Sequence, residues 1–172
     1  MIRKATGKDI AAVAEIYDAI LKEEETGNST IGWLRGVYPT EQTALAALEK
    51  GTLFVLEDEG RIVAAAKIDG EQVPEYADCQ WRYPVSENRV MVLHTLVVAP
   101  ECPRRGYGRE FVRFYEEYAA QNGRPYLRID TNVKNAVARK MYRTLGYEEI
   151  GEVSCTFNGI SQVQLVCMEK KV

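Results

Sequence analysis

The chain has 172 residues, of which 46% are hydrophobic and 27% charged, with a formal net charge of −3. These values are typical of one globular domain, and they exclude a disordered chain and a pair of ordinary domains. The slight negative charge argues against a nucleic-acid binder that works through a general basic field, and no apolar run is long enough to span a membrane. We therefore expect one domain over residues 1–172, cytoplasmic because its first residues lack an apolar signal core, with no nucleic-acid or membrane partner.

A short strand and two helices are predicted first. A strand over residues 2–5 precedes a helix from Lys8 to Glu25, for which Thr6 is typical of an N-cap. The segment 26–38 has no clean period and is interpreted as a loop. A second helix is expected over residues 39–51, because a Pro-Thr pair opens it and a glycine ends it.

The pattern then changes from helical spacing to alternation. Residues 53–56 and 62–68 predict a hairpin of two strands around a turn at Gly60. A second irregular segment covers residues 69–88. Residues 89–99 predict a long strand that is apolar on both faces, as a strand in the centre of a sheet is.

Two more helices alternate with the remaining strands. A helix with an aromatic face follows Pro100 and ends at Asn122-Gly123, and a strand is predicted over residues 126–131. The next helix covers residues 134–145, with Val137, Met141 and Leu145 expected on its inner face. The chain closes with two strands around Asn158-Gly159, a strong hairpin-turn signal. The order β-α-α-β-β-β-α-β-α-β-β predicts a mixed α/β sheet with helices on its faces.

Metal-ligand residue types are sparse and scattered along the chain. No C-x-x-C pair occurs, and His94 is the single histidine; the four cysteines are Cys79, Cys102, Cys155 and Cys167. A zinc site needs clustered ligands, so we expect no metal, and cytosolic cysteines are expected to be reduced.

The junction of the long strand with the next helix has the most informative local sequence, P-R-R-G-Y-G-R. A helix N-terminus attracts anions through its exposed amides and its dipole. Gly106 and Gly108 allow the backbone to approach a phosphate, and Arg104, Arg105 and Arg109 add positive charge. A G-x-G pair alone would indicate only a tight turn, but its position between strand and helix favours a phosphate ligand.

This junction resembles the acetyl-CoA site of the GNAT superfamily of N-acetyltransferases, whose pattern is Gln/Arg-x-x-Gly-x-Gly/Ala. The glycines match, whereas Pro103 replaces the first Gln or Arg. The segment after residue 131 resembles the fourth-helix motif of the same superfamily, N-x-x-A-x-x-x-Y-x-x-x-G-F/Y, with Asn135, Ala138, Tyr142, Gly146 and Tyr147 at the motif positions.

The resemblance covers almost the whole chain and implies a fold and a cosubstrate. The fold is a single-domain, mostly antiparallel sheet flanked by about four helices, with central strands splayed to hold CoA. The implied cosubstrate is acetyl-CoA, without a metal. The implied contacts are Leu96, Val97, Val98, Arg104, Arg105, Gly106, Tyr107, Gly108, Arg109, Asn135 and Tyr142.

The implied reaction is direct attack of an amine on the thioester, which needs a base and a proton for the departing thiolate. The resemblance makes Tyr142 the proton donor; without the motif it would be interpreted as a core tyrosine. His94 is a candidate base because imidazole has an ordinary pKa near 6.5, and the alternative is a core histidine with a structural hydrogen bond.

The acceptor is expected between the two irregular segments, whose aromatic residues would line its pocket: Trp33, Tyr38, Tyr76, Trp81 and Tyr83. The glutamates at 23–25 would attract a cation or simply form a solvated helix end. The acceptor is a small-molecule or peptide amine that the sequence does not identify, and the edge of the terminal hairpin allows a homodimer.

A non-catalytic acyl-CoA sensor or regulatory protein of the same fold stays open because of Pro103. A Rossmann dinucleotide enzyme is rejected, because the G-x-G pair follows the fourth predicted strand and no third glycine comes after it.

Overall fold

A computed structural model describes residues 1–102 and 105–172. Its elements in chain order are β1 (Ile2–Lys4), α1 (Ile10–Glu25), α2 (Glu41–Glu49), β2 (Leu53–Asp58), β3 (Arg61–Asp69), β4 (Val90–Val98), α3 (Tyr107–Gln121), β5 (Tyr126–Asn132), α4 (Ala136–Thr144), β6 (Glu148–Phe157) and β7 (Ile160–Lys171). This order confirms the predicted one. Short 3₁₀ turns precede α1 and interrupt the segment between β3 and β4.

The strands form one seven-stranded sheet in the order β1-β2-β3-β4-β5-β7-β6. The pair β4–β5 is parallel, and the other neighbouring strands are antiparallel. A mostly antiparallel sheet with four α-helices among the described residues confirms the predicted fold class.

The two central strands separate partway along their length. The β4–β5 ladder runs from the pair Val90–Tyr126 to the pair Leu93–Ile129 and ends there. Strand β4 continues to Val98 and β5 to Asn132, so the facing backbones diverge and leave a cleft in the sheet. This is the splay that the resemblance predicted.

A β-bulge at Thr95 lies at the start of the cleft. Across from β3, Ala65 pairs with Val97 and Lys67 pairs with His94, so two residues of β4, Thr95 and Leu96, oppose one residue of β3. Thr95 has a φ of 52°. The extra residue shifts the alternation of side chains by one position and directs the later part of β4 differently from its start.

The bulge divides the apolar side chains of β4 between two layers. Before it, Leu93 faces the core under α3 and Val92 faces the segment 70–88; after it, Leu96 faces α3 and Val97 faces α1 and α2. Burial on both faces, as expected from the sequence, is confirmed because helices or the 70–88 segment cover each side.

Helix α4 differs from the prediction at one position. Val137 was expected on the inner face but is 83% exposed, whereas Tyr142 is buried and Met141 and Leu145 are partly buried against the α3 core. The helix lies beside the cleft and covers it with a narrow face, so its opposite side is open to solvent.

A buried ion pair holds the 70–88 segment against the sheet. The Arg128 Nε lies 3.2 Å from Glu169 Oε1, and their side chains are only 6% and 1% exposed. Arg128 also donates to the Tyr83 carbonyl at 3.0 Å and stacks on Trp81, while Glu169 accepts the backbone N–H of Arg82 at 2.9 Å. The segment is therefore an ordered cover over one face of β5.

Candidate active site

Two cavities meet where β4 and β5 separate. The first, called here the cleft cavity, has a volume of about 240 Å³ and lies between β4, β5, α4 and the 26–38 segment. The second, called the side cavity, has a volume of about 300 Å³ and lies between α1, α2, β3 and the start of the 70–88 segment. The residues that line both are Tyr38, Leu93, Thr95, Asp130, Phe157 and Asn158.

Asp130 is the acidic residue at this junction. It follows Ile129, the last residue of β5 paired with β4. The Tyr76 hydroxyl donates a hydrogen bond to its Oδ2 at 2.7 Å. Burial raises the pKa of Asp130, and the hydrogen bond from Tyr76 opposes that rise.

Sequence reasoning missed Asp130, although a signal for it was present. Leu127 and Ile129 are apolar and buried, whereas Arg128 and Asp130 alternate with them on the other face of β5. Two charged residues at i and i+2 in a central strand indicate a polar site beneath a covering segment.

Tyr142 is buried and lines the cleft cavity. Within the described residues its hydroxyl has no hydrogen-bond partner, and its ring packs edge-on against that of Tyr147 at 5.8 Å. Burial, and next the charge of Asp130, raise the pKa of Tyr142 well above its ordinary value. The phenol therefore keeps its proton at neutral pH.

Asn135 has a structural role at the start of α4 and also lines the cleft cavity. Its Oδ1 accepts the backbone N–H of Ala138 at 3.1 Å, so it is the helix N-cap. Its Nδ2 donates to Thr131 Oγ1 at 3.2 Å. The residue thus fixes α4 at the edge of the cleft and exposes part of its amide there.

His94 lines the side cavity but not the cleft cavity. Its Nε2 lies 3.0 Å from the Glu71 carbonyl oxygen and 3.4 Å from Asp69 Oδ1. Because a carbonyl oxygen only accepts, Nε2 carries a hydrogen and the imidazole anchors the start of the 70–88 segment. The role of His94 as base remains a prediction.

A charged network forms one wall of the side cavity. Lys67 Nζ lies 2.9 Å from Glu71 Oε2 and 3.2 Å from Asp69 Oδ2, and Lys50 Nζ lies 3.1 Å from Glu71 Oε2. Burial acts to raise the pKa of Asp69, but hydrogen bonds from His94 and the Glu71 amide, with the charge of Lys67, lower it overall. This wall is therefore polar, and its positive and negative charges largely balance each other.

The Gly-rich junction lies at the start of α3, and its predicted contact Arg104 lies outside the described residues, as does Pro103. Gly106 has a φ of 79° and is the N-cap of α3. A Cβ on Gly108 would lie 3.1 Å from Met141 Sδ and 3.7 Å from Val98 Cγ2, so this glycine keeps the first turn of α3 close to β4 and α4.

The remaining predicted contacts of this region are divided between two sides of α3. Leu96, Val97 and Val98 line the cleft cavity. Arg105 and Arg109 are exposed at the surface, and Arg105 lies 3.9 Å from Asp58. Tyr107 is buried and its hydroxyl donates to Asp58. Tyr107 therefore fixes α3 on the β2–β3 turn rather than lining the cleft.

The predicted aromatic pocket residues are separated by the structure. Trp33 and Tyr38 line the cleft cavity, with their rings 5.8 Å apart, and Tyr76 reaches Asp130. Trp81 and Tyr83 line neither cavity. The structure does not place them there because Trp81 stacks on the buried guanidinium of Arg128, and Tyr83 packs on Tyr126.

The glutamates that end α1 anchor the 26–38 segment. Glu24 accepts the backbone N–H of Ile31 at 2.7 Å and of Gly32 at 2.9 Å, and Glu25 pairs with Arg35. A Cβ on Gly32 would lie 2.5 Å from Asn132 Nδ2, so the segment contacts the end of β5 closely. These contacts favour the structural interpretation of the glutamates.

The described part of the chain contains no group of three His, Cys, Asp or Glu side chains arranged to hold a metal ion. None of its helices combines the length and the apolar character needed to cross a membrane.

Comparison with known proteins gives consistent matches. Residues 14–147 match the family model described as the acetyltransferase (GNAT) family. The chain is 26% identical over 150 residues to an uncharacterized N-acetyltransferase of Bacillus subtilis, YhfO, with 86% of this chain and 89% of that protein covered.

Two solved structures illustrate the similarity of fold. A GNAT family acetyltransferase from Streptococcus agalactiae has a TM-score of 0.82 at 20% identity, with 100% of this chain and 95% of that one covered. Salmonella typhimurium yncA, solved with its cofactor acetyl-CoA, has a TM-score of 0.71 at 18% identity, with 99% and 92% covered.

Proposed function

Because the chain belongs to the GNAT family and is an N-acetyltransferase of that family, we propose that it transfers the acetyl group of acetyl-CoA directly to a primary amine. The observation that carries the proposal is the position of Asp130, a partly buried carboxylate at the junction of the two cavities. A base there has access both to a thioester in the cleft cavity and to an amine in the side cavity.

The residues around the cleft fit acetyl-CoA as cosubstrate, which supplies the acetyl group as a thioester. Beyond Leu93 the β4 backbone is unpaired on the β5 side, so an extended arm can hydrogen-bond to it as an added strand does. The amides at the start of α3, with Gly106, suit a pyrophosphate, and Arg105 and Arg109 add charge beside them. Asn135 lies farther along the same cleft.

Asp130 acts as the proton acceptor in the proposed reaction. A primary amine is protonated at neutral pH and is not a nucleophile until it loses that proton. Burial brings the pKa of Asp130 upward, toward the range in which a carboxylate accepts a proton efficiently. His94, engaged with the Glu71 carbonyl and absent from the cleft cavity, is the second candidate for this role.

Tyr142 donates a proton to the departing sulfur. Its hydroxyl has no partner among the described residues, and its pKa is raised by burial, so the phenol reaches the step protonated. The unpaired amides of β4 near Thr95 would stabilise the negative charge that forms on the carbonyl oxygen.

The side cavity is the proposed acceptor site. It opens beside α2 and the start of the 70–88 segment, and its walls combine Tyr17, Val73 and Phe157 with the Lys50–Glu71–Lys67 network. Only part of it lies between the two irregular segments, since α2 and β3 supply the other walls. Its volume suits a small amine or the end of a peptide.

Binding and turnover together test this proposal. Calorimetry with CoA measures the cleft, and thiol release from acetyl-CoA is then followed with a panel of aliphatic amines, amino acids and short peptides. We expect binding, and amine-dependent thiol release that Asp130→Asn lowers by about 10²–10⁴-fold. Asp78→Asn, the same change at an exposed position of the 70–88 segment, is the matched control and is expected to keep full activity.

Each other result has a definite meaning. Binding of CoA without thiol release from any amine would favour the non-catalytic sensor. Full activity in Asp130→Asn would remove Asp130 as base, and a comparable loss in His94→Asn alone would transfer that role to His94.

A further inference from the structure

Tyr76 lines neither the cleft cavity nor the side cavity, yet its hydroxyl is hydrogen-bonded to the carboxylate of Asp130. Its side chain is buried at 3% exposure, and its hydroxyl donates to Asp130 Oδ2 at 2.7 Å. Trp81 fixes it from behind, with ring centroids 5.0 Å apart and the indole N–H donating to the Tyr76 carbonyl at 2.9 Å. The ring is therefore held in one orientation.

The rest of the 70–88 segment is fixed independently at both ends. His94 holds the Glu71 carbonyl at one end, and the Arg128–Glu169 pair holds the backbone of Arg82 and Tyr83 at the other. Arg128 and Asp130 project from the same face of β5. The strand that carries the carboxylate thus also fixes the segment that supplies its hydrogen-bond donor.

Tyr76 donates a hydrogen bond to one carboxylate oxygen of Asp130, Oδ2, and not to the other, Oδ1. Among the described residues, no hydrogen-bond donor reaches Oδ1. The remaining titratable groups around the carboxylate come from the 26–38 segment, the 70–88 segment, β4, α4, β6 and β7: they are Tyr38, Glu75, His94, Tyr142, Cys155 and Cys167.

We infer that Tyr76 is a positioning residue for the acetyl transfer: it holds Asp130 through Oδ2 so that Oδ1 takes the proton of the acceptor amine. The inference rests on the proposed function, with Asp130 as the base. It assigns to the 70–88 segment a part in the reaction rather than in the recognition of the acceptor.

The proton balance is simple. The N–H bond of the ammonium breaks, its electron pair stays on nitrogen, and the proton forms an O–H bond at Asp130 Oδ1. Tyr76 keeps its own proton throughout, because burial raises the pKa of its phenol well above the ordinary value. The nitrogen then forms its bond to the acetyl carbon as the C–S bond breaks, and the sulfur takes the proton of Tyr142. The nitrogen loses its second proton as the amide forms, which restores the phenol of Tyr142, and Asp130 releases its own proton to solvent through the side cavity.

A hydrogen bond from Tyr76 stabilises the ionised carboxylate, so it also sets the pH at which Asp130 works. Replacing Tyr76 by Phe keeps the ring but removes the donor. The carboxylate then becomes easier to protonate, and the acidic limb of the pH profile of kcat/KM moves to higher pH. A hydrogen bond to a charged group corresponds to a shift of about one to two pH units.

The experiment compares pH profiles of kcat/KM for thiol release from acetyl-CoA, using the amine of the panel on which the wild type is most active. The variants are Tyr76→Phe, Asp130→Asn and their combination, with Tyr126→Phe as control. Tyr126 is on β5 four residues before Asp130 and lines neither cavity. The ionisation of the amine is common to every variant and cancels in the comparison.

We expect Tyr76→Phe to move the acidic limb upward by about one to two pH units and to recover most of its activity at alkaline pH. Tyr126→Phe should leave the limb in place, and Tyr76→Phe should have no further effect in the Asp130→Asn background. A ring-fluorinated tyrosine at position 76, a stronger donor that preserves packing, should move the limb in the opposite direction.

An unchanged limb in both Tyr76 variants, or an equal loss of activity at every pH, would overturn the inference, because a purely structural role predicts those results. If the wild type itself releases no thiol with any amine, the proposed function fails and this inference with it. A shifted limb in an active enzyme supports both, whereas an active enzyme with an unmoved limb rejects the inference alone.

Discussion

Tyr38 and Thr95 are hydrogen-bonded through their side-chain oxygens at the mouth that the two cavities share. Thr95 has a φ of 52°, a backbone conformation that a β-branched residue adopts only where its surroundings compensate for the strain. The contact ties the segment before α2 to the bulge that redirects β4. It therefore links the 26–38 segment, which forms a wall of the cavities, to β4, the strand that borders the cleft.

Tyr38→Phe tests whether this contact keeps the bulge in its working geometry. We expect the free energy of unfolding to fall by about 1 kcal/mol, since one hydrogen bond is lost. We expect kcat/KM for thiol release to fall by more than this free energy alone would account for, because the bulge is less fixed. Thermal denaturation and the thiol assay measure the two effects. Tyr118→Phe on α3, whose ring packs against Phe54 away from both cavities, is the control. Equal kcat/KM in Tyr38→Phe and wild type would contradict the expectation.

Tyr142→Phe tests the proton donor. The ring and its packing remain while the proton is lost, so kcat should fall by about 10²–10⁴-fold and acetyl-CoA affinity should hold. Thiol release and calorimetry measure these quantities.

Tyr147→Phe is the matched control for Tyr142→Phe. Its hydroxyl is buried without a hydrogen-bond partner among the described residues, and its ring adjoins that of Tyr142. We expect Tyr147→Phe to keep its activity and to be stabilised by up to about 1 kcal/mol, because an unsatisfied buried hydroxyl is removed. Loss of activity in both variants would mean that the hydroxyls of this aromatic pair act structurally.

Arg105→Ala tests the phosphate contact. The side chain is 62% exposed and its ion pair with Asp58 is long, so little folding stability depends on it. We expect affinity for CoA to fall about tenfold, as for loss of one charge-assisted contact, and wild-type affinity to weaken with added salt. Arg82→Ala, which removes an exposed arginine of the 70–88 segment paired with Glu148, should leave affinity unchanged. A large loss of stability with unchanged affinity would instead indicate a turn-stabilising role.

Glu169→Gln tests the buried pair that holds the 70–88 segment. The substitution preserves shape but leaves the Arg128 guanidinium buried without a counter-charge, which costs about 3–5 kcal/mol. Chemical denaturation measures the loss. Glu148→Gln, the same change in an exposed ion pair, should have a much smaller effect. Similar losses in the two variants would mean that solvent reaches Arg128.

Asp9→Asn tests an ion pair at the start of α1. Hydrogen bonds from the Arg3 guanidinium hold the pKa of Asp9 well below its usual range, and Asp9 also accepts the Thr6 backbone N–H at 2.7 Å. The pKa of Asp9 is lower in the folded protein than in the unfolded chain, so its ionised carboxylate stabilises the fold at pH values above the unfolded pKa of about 3.9. This stabilisation is lost as the pH falls from there through the folded pKa. We expect the variant to be less stable by about 1 kcal/mol at neutral pH, and the difference in melting temperature to shrink in acid. A difference that does not change with pH would contradict the assignment.

The elements and the likeness to a family followed from the sequence because both depend on local patterns. Apolar spacing predicted the helices and strands in the observed order, and Asn158-Gly159 predicted the last hairpin, where both residues have positive φ. The error at Val137 has the same origin: helical spacing shows which residues share a face, but not how wide a face the neighbouring elements cover.

The sequence by itself determined the fold class, the Gly-rich start of α3 and the candidate role of Tyr142, since each is encoded in a short run of residues. Only the tertiary structure decided that Asp130 lies between two cavities, that Tyr76 donates to it, and that Trp81 and Tyr83 pack elsewhere. Tyr76 and Asp130 are 54 positions apart in the chain. Such a contact depends on a bulge in β4, the divergence of two strands and a buried Arg128–Glu169 pair, and no local pattern in the sequence encodes how these features combine in space.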